Sequence, residues 1–372
     1  MSFDDAPHGC DFPSESLLSM VPEDLVMRYD GVDPKEARRL LSTVHRTGSV
    51  PTRCPSGVRR SSFDRIVSDI HMRVLRRESC CPSSCDPFVK YGFRTCDGRL
   101  VETVRIPLAM PGRFVVCVST QTGCAMGCAF CATARLGTGR NLAAWEIVDQ
   151  VRQVRGELPA GGRVHGVVFQ GMGEPLANAA SVIRSVRVLT DSSLQSVDGR
   201  AITVSSCGLL NPLPRILEAL PKTRLGISIG HAQPERRVKY MPVEASNPLS
   251  SVLDIAADHS RVTGIATMLS YTMLGGENDS ECDADALLGL AHRYAKRAGM
   301  PPRVSLIAYN SIGADGPFVP STPDRVQMFR HRLGSVGIPV VRRYSGGADV
   351  CAACGQLGMQ MREQQMREQS TF

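Results

Sequence analysis

From residue 114 onward the chain alternates short β-branched runs with amphipathic stretches, and this alternation limits the folds open to it more than any other feature. The strand-like runs are "FVVCVST" (114–120), "VHGVVFQG" (164–171), "AITVSS" (201–206), "RLGISIG" (224–230), "ATMLSYTML" (266–274) and "RVSLIAYN" (303–310). Helical stretches such as "LAAWEIVDQVRQVRGEL", "AASVIRSVRVL" and "ADALLGLAHRYAKRAG" stand between them. Strands that alternate with helices build a parallel sheet through right-handed crossovers. Six such units predict an α/β fold, a partial (β/α)6 barrel, since a complete barrel of eight units needs more strands. In folds of this kind the loops after the strands' C-terminal ends gather the reactive groups.

Residues 1–97 read differently, as a small, mainly helical accessory domain and a connector. Its last part is the cysteine-rich "ESCCPSSCDPFVKYGFRTCDGR" (78–99). Residues 98–347 form the expected barrel, and 348–372 a C-terminal loop and a tail in which "QMREQ" occurs twice in tandem. With 42% apolar and 21% charged residues, a chain of 372 buries at least one large core, which excludes disorder as a whole. No run approaches the roughly 18 apolar residues that cross a bilayer, and "MSFDDAPHGC" lacks the apolar core of a signal peptide. A cytoplasmic location, without membrane association, is the expectation.

Fourteen cysteines in such a setting point to reduced thiols, metal ligation or catalysis rather than a disulfide scaffold. Cys54, Cys80, Cys81, Cys85 and Cys96 match no zinc-finger spacing and are expected to be free thiols. Of the net charge of +7, much sits between residues 46 and 77, where Arg46, Arg53, Arg59, Arg60, Arg65, Arg73, Arg76 and Arg77 face only Asp64 and Asp69. That segment is either a solvated face or a surface that contacts RNA phosphates.

The sharpest signal follows the first barrel strand. Cys124, Cys128 and Cys131 are spaced C-x3-C-x2-C, so a single loop can wrap a metal centre. A cubane cluster takes four thiolates, and three leave one iron open to a substrate. Zinc would need a fourth ligand, and the next thiol along the chain is Cys207. Beyond the second strand, "GMGEP" (171–175) offers two glycines, which let backbone approach a ligand closely, and Glu174, which accepts from an ammonium.

With these motifs the sequence resembles the radical SAM superfamily, and within it the RlmN/Cfr family of RNA adenosine methyltransferases. The resemblance runs through "RLVETVRIP", "CVSTQTGCAMGCAFCAT", "RNL", "GMGEPL", "ITVSSCG", "YTMLGGENDS", "VSLIAYN" and "CAACGQL" in order. It implies a [4Fe–4S] cluster held by Cys124, Cys128 and Cys131, with S-adenosylmethionine (SAM) chelated at the open iron. It also implies SAM contacts at Gly173, Glu174, Ser205, Ser228, Ile229, Gly230, His231 and Asn310. The family's "SLHA" is written here "SIGHA", so that His231 falls one position late.

An adenine ring carbon is not nucleophilic, so the methyl group must arrive as a carbon radical. By resemblance, Cys354 is first methylated, a second SAM yields a radical that abstracts hydrogen from the S-methyl group, and the product adds to the ring. Glu102 is then the proton acceptor, and Cys117 the thiol that forms a transient disulfide with Cys354 and frees the methylated base. Cys351, where the family carries aspartate, offers Cys354 a second local partner. The implied partners are ribosomal RNA, transfer RNA in addition, and a one-electron reductant such as flavodoxin or ferredoxin. Two other readings stay open: the same chemistry on a heteroaromatic ring, such as a thiazole, of a peptide natural product, and a noncatalytic metal-containing RNA-binding protein.

Overall fold

The six expected barrel strands form the parallel part of a larger sheet. The computed structural model describes residues 16–313, 316–342 and 345–361. Most of the tandem "QMREQ" tail, like residues 1–15, lies outside the described residues.

Three helices come first: α1 (Pro22–Arg28), α2 (Pro34–Thr47) and α3 (Arg60–Asp69). α2 starts at Asp33, whose carboxylate accepts from the Lys35 amide at 2.7 Å, and stops at Gly48 in the left-handed region. Three antiparallel strands follow, β1 (Arg76–Pro82), β2 (Val89–Arg94) and β3 (Leu100–Pro107). The barrel units are β4 (Arg113–Val118), α4 (Ala144–Gly156), β5 (Arg163–Phe169), α5 (Ala179–Thr190), β6 (Ile202–Ser206) and α6 (Leu213–Ala219). They continue with β7 (Arg224–Ser228), α7 (Pro234–Tyr240), α8 (Leu249–Thr263), β8 (Met268–Met273), α9 (Glu281–Ala298) and β9 (Arg303–Ala308). Last come α10 (Pro323–Gly334) and the short β10 (Val340–Arg342).

All ten strands lie side by side in chain order, and β4 to β10 are parallel. The result is an open α/β sheet, six units plus a short parallel edge. Residues 97/98 mark the expected boundary between the accessory unit and the barrel. They lie in the turn between β2 and β3, inside this sheet, and the cysteine-rich stretch forms a hairpin that extends the barrel wall. The helices of residues 22–69 also share the barrel's core: Leu40 and Val44 belong to the same apolar cluster as Val151 and Val186.

Strand alternation decides where the interior opens. Val116 and Val118 are fully buried in the core, and Cys117 between them turns the other way. On β6, β7 and β8 the inward positions are small hydroxyls, Ser205, Ser228, Ser270 and Thr272. Residues this small leave the middle of the barrel hollow. Among the described residues no helix is long and apolar enough to cross a membrane.

Candidate active site

The hollow is a cavity at the C-terminal ends of the strands, and most of the residues singled out in the sequence meet on its walls. Cys124, Cys128 and Cys131 line it together with Gly173, Glu174, Ser205 and Ser228. Cys117 reaches it from β4 and Cys354 from the C-terminal loop, neither of them in a disulfide. The Cys354 sulfur accepts from Gln170 Nε2 at 3.5 Å, and its carbonyl accepts from Asn310 Nδ2 at 3.0 Å.

The cysteine loop is held at both ends. Its Ala132 amide donates to the Gly355 carbonyl at 2.7 Å, and Thr133 Oγ1 to the Leu357 carbonyl at 2.7 Å, which ties it to the C-terminal loop. Downstream, Arg140 bridges Asp97 and Glu146 through hydrogen bonds of 2.7 to 2.8 Å. That guanidinium holds the Asp97 carboxyl well below the usual carboxylate range. Gly173 has φ +97°, and a Cβ there would stand 2.5 Å from the Gln121 side chain, so only glycine fits where "GMGEP" crosses the strand end.

Glu174 is 3% exposed and fully engaged. One carboxylate oxygen accepts from the Leu176 amide at 2.9 Å; the other accepts from the Cys207 amide at 2.9 Å and thiol at 3.0 Å.

Other expected contacts fall outside the cavity. His231 is fully buried: its Nε2 faces Asp283 Oδ1 at 3.0 Å, and its Nδ1 accepts from the Gln233 amide at 3.0 Å. Burial and the nearby Arg236 push this imidazole below its ordinary value, so the ring is a neutral structural link. The imidazole of "SIGHA" is thus not on the cavity wall. Ile229 and Gly230 are also engaged through their backbones, by Arg237 and Asn278. Asn310 holds the C-terminal loop, bonding Ser345 Oγ at 2.8 Å besides Cys354. Glu102 lies beside the cavity, paired with Lys90 at 2.9 Å.

The comparisons with known proteins agree with this geometry. Residues 118–288 match the family model described as the radical SAM superfamily. A "probable RNA methyltransferase" of Sorangium cellulosum is 47% identical over 366 residues, covering 93% of each chain. A "dual-specificity RNA methyltransferase RlmN" of Anaeromyxobacter dehalogenans is 34% identical, covering 95% of this chain and 92% of its own. The crystal structure of a radical SAM methyltransferase from Sphaerobacter thermophilus superposes with a TM-score of 0.80 at 30% identity, covering 92% of this chain and 99% of that one.

The chain belongs to the RlmN family of radical SAM methyltransferases. Membership implies a [4Fe–4S] cluster and SAM, and the RlmN-type cavity fits them. Among the described residues no three His, Cys, Asp or Glu side chains converge closely enough to hold a single metal ion. Three thiols spread round one cavity suit a larger, polynuclear group. Burial pushes the Cys124 thiol up to about 12 and the Cys128 thiol well above its usual range. Thiols in so apolar a place become thiolates only against a cationic partner.

Two functional features were invisible in the sequence. Arg237, on the unforeseen α7, is fully buried and donates to the carbonyls of Ile229 at 2.8 Å, Cys207 at 2.8 Å and Ser228 at 3.1 Å, and to Glu244. It ties the ends of β6 and β7 together under the cavity, and breaking such a buried pair costs about 3–5 kcal/mol. Lys90 is the other, a buried cation beside Glu102. The only sequence signal for Lys90 is a charged residue inside a largely apolar strand, a pattern more often read as exposure; Arg237 is one of four charged residues in the seven of α7 and carries no such signal.

Proposed function

We propose that this enzyme methylates a ring carbon of adenosine, carbon 2 or carbon 8, in 23S ribosomal RNA and additionally in transfer RNA, through an S-methylcysteine at Cys354. RNA as the substrate is supported by the names of the relatives, and the observation that carries the chemistry is that Cys117, the cysteine trio and Cys354 line one cavity. When bound, the cluster and SAM supply an electron, the methyl group and the radical that activates it. The chain's own residues do the rest. Cys354 carries the carbon and is held by Gln170 and Asn310. The adduct radical gives one electron to a one-electron acceptor and its ring proton to Glu102. The Cys117 thiolate then attacks the Cys354 sulfur, and the bond from that sulfur to the transferred carbon breaks with its electron pair on the carbon. The carbon takes up a proton to leave as the methyl group of the base, with a Cys117–Cys354 disulfide left behind. Gly173, Glu174, Ser205 and Ser228 form the SAM-facing wall.

The N-terminal unit is assigned to holding RNA. Of its arginines, Arg59 is committed to Glu36, Arg60 to Asp64, Arg76 to Glu78 and Arg77 to Glu157. Arg38, Arg39, Arg46 and Arg53 instead line one shallow surface groove with Ser42, Thr43 and Ser56. Such a groove suits a phosphate backbone. Nucleoside mass spectrometry of ribosomal and transfer RNA from deletion and complemented strains tests the proposal. Loss and recovery of 2-methyladenosine or 8-methyladenosine supports it and names the carbon; unchanged RNA refutes the assignment.

A further inference from the structure

Lys90 is only 2% exposed, on a strand whose neighbours are apolar. It pairs across the sheet with Val104, which pairs in turn with Cys117. Residues directly opposite one another share a face, and so does Glu102, two positions from Val104. Lys90, Glu102 and Cys117 therefore stand on the same side of the barrel wall.

The C-terminal loop docks onto this pair. Lys90 Nζ lies 2.9 Å from Glu102 Oε1 and donates to Gln360 Oε1 at 2.9 Å. The other Glu102 oxygen accepts from the Gly358 amide at 2.7 Å. One buried ion pair thus touches the chain twice just beyond Cys354. Upstream of Cys354, the β1–β2 hairpin tip makes the matching hold: Asp86 accepts from the Gly347 amide at 2.8 Å, and Asp349 accepts from Ser83 and Ser84 at 2.7 to 2.9 Å.

We propose that Lys90 is a positioning residue that couples the proton acceptor to the seat of the Cys354 loop. This role rests on the reading of Glu102 as proton acceptor and extends it to the preparation of that carboxylate and the effect of its protonation on the loop. Lys90 holds the Glu102 carboxylate turned toward Gly358, so the loop is seated before reaction. In the proton transfer, the C–H bond of the base breaks, its electron pair stays on the base, and the proton passes to a Glu102 oxygen. A neutral carboxyl no longer attracts the Lys90 ammonium and accepts more weakly from the Gly358 amide. The seat loosens at the step in which Cys354 must pass to Cys117.

The test uses full-length, anaerobically reconstituted protein carrying Lys90→Met, Lys90→Arg, Glu102→Gln, or Lys90→Met with Glu102→Gln. Three readouts are taken: S-methylation of Cys354 by peptide mass spectrometry, covalent protein–RNA adduct on denaturing gels, and amide exchange over residues 356–361. Lys90→Met is expected to keep Cys354 methylation, to accumulate adduct while product falls about 100-fold, and to exchange faster at 356–361. Lys90→Arg should restore product. The double variant removes both buried charges, so it guards against misfolding from an unpaired carboxylate. It should lose no more product than Glu102→Gln alone, because two residues acting as one unit are not additive.

Normal turnover without adduct in Lys90→Met, or losses that multiply in the double variant, overturns the role of Lys90. Equal loss of Cys354 methylation in the Met and Arg variants overturns it too, by leaving Lys90 a packing role alone. If Glu102→Gln itself traps no adduct, the reading of Glu102 fails instead, and the two failures are told apart.

Discussion

Residues 117–131 and residues 46–96 are the two chemically densest stretches of the chain, the first in thiols and the second in arginines and thiols. In the first stretch the reactive groups are carried to strand ends and turned toward one cavity. In the second, Cys80, Cys85 and Cys96 lie exposed on and beside the β1–β2 hairpin, and several arginines are neutralised by a neighbouring carboxylate. The difference teaches that density of functional groups is no measure of a site. Strand alternation decides: the positions beside Cys117 are packed in the core, whereas β1 is exposed along nearly its whole length and has no inner face to gather on.

The largest contrast to test is cluster loading. Replacing Cys124, Cys128 or Cys131 with alanine should abolish iron binding and the visible absorbance of the reconstituted protein, because a cluster held by three thiolates has no ligand to spare. Alanine at Cys80, Cys85 or Cys96 should leave iron content unchanged. A drop in iron with any hairpin variant would break the comparison. Next in size is the resolving step. Cys117→Ala should stall the reaction with RNA covalently attached to Cys354, while Cys354→Ala should show no adduct at all. Clean loss of product without adduct in Cys117→Ala would remove Cys117 from the chemistry.

The barrel was legible because its strands are β-branched runs of ordinary length, and the six runs read from the sequence lie within two residues of β4 to β9 at each start. The trio was legible because its spacing is local. What escaped reading depends on pairing over long range. β1 and β2 carry no alternation: one is nearly all exposed and the other nearly all buried, Lys90 included. Only the pairing of β1 with β2 and of β2 with β3 shows that they extend the wall. Arg237 sits in "PERRVKY", where four of seven residues are charged, and only the fold shows Glu244 and three carbonyls closing round this one. His231, which the resemblance puts at the SAM site, turns its ring toward Asp283, a long-range contact that only the fold shows.

A smaller effect separates the arginines from one another. If Arg46 and Arg53 bind phosphates, Arg46→Ala with Arg53→Ala should lower the slope of log affinity against log salt by about 0.7 to 0.9 for each phosphate no longer neutralised. Arg60→Ala should leave that slope alone, since Arg60 is paired with Asp64 at 2.8 Å. Equal slopes for all variants would mean that the groove is an ordinary solvated surface.

The smallest expected effect concerns how the N-terminal unit uses charge to hold itself. The Arg59 guanidinium donates to both oxygens of Glu36, drawing its carboxyl from the ordinary 4.5 down to about 2. A folded value below the unfolded one means stability that is fully present above about pH 4.5 and lost as the pH falls toward 2. The Arg59 side chain is 59% exposed, so solvent screens the pair and the contribution is modest. Thermal midpoints of the wild type and Glu36→Gln should differ by a constant amount above about pH 5 and converge as the pH approaches 2. A difference that does not change with pH would mean that Glu36 serves α2 through its hydrogen bond to the Asp33 amide at 3.1 Å rather than through the ion pair. Arg59 would then join Arg46 and Arg53 as a candidate phosphate contact, and the division between neutralised and available arginines would have to be redrawn.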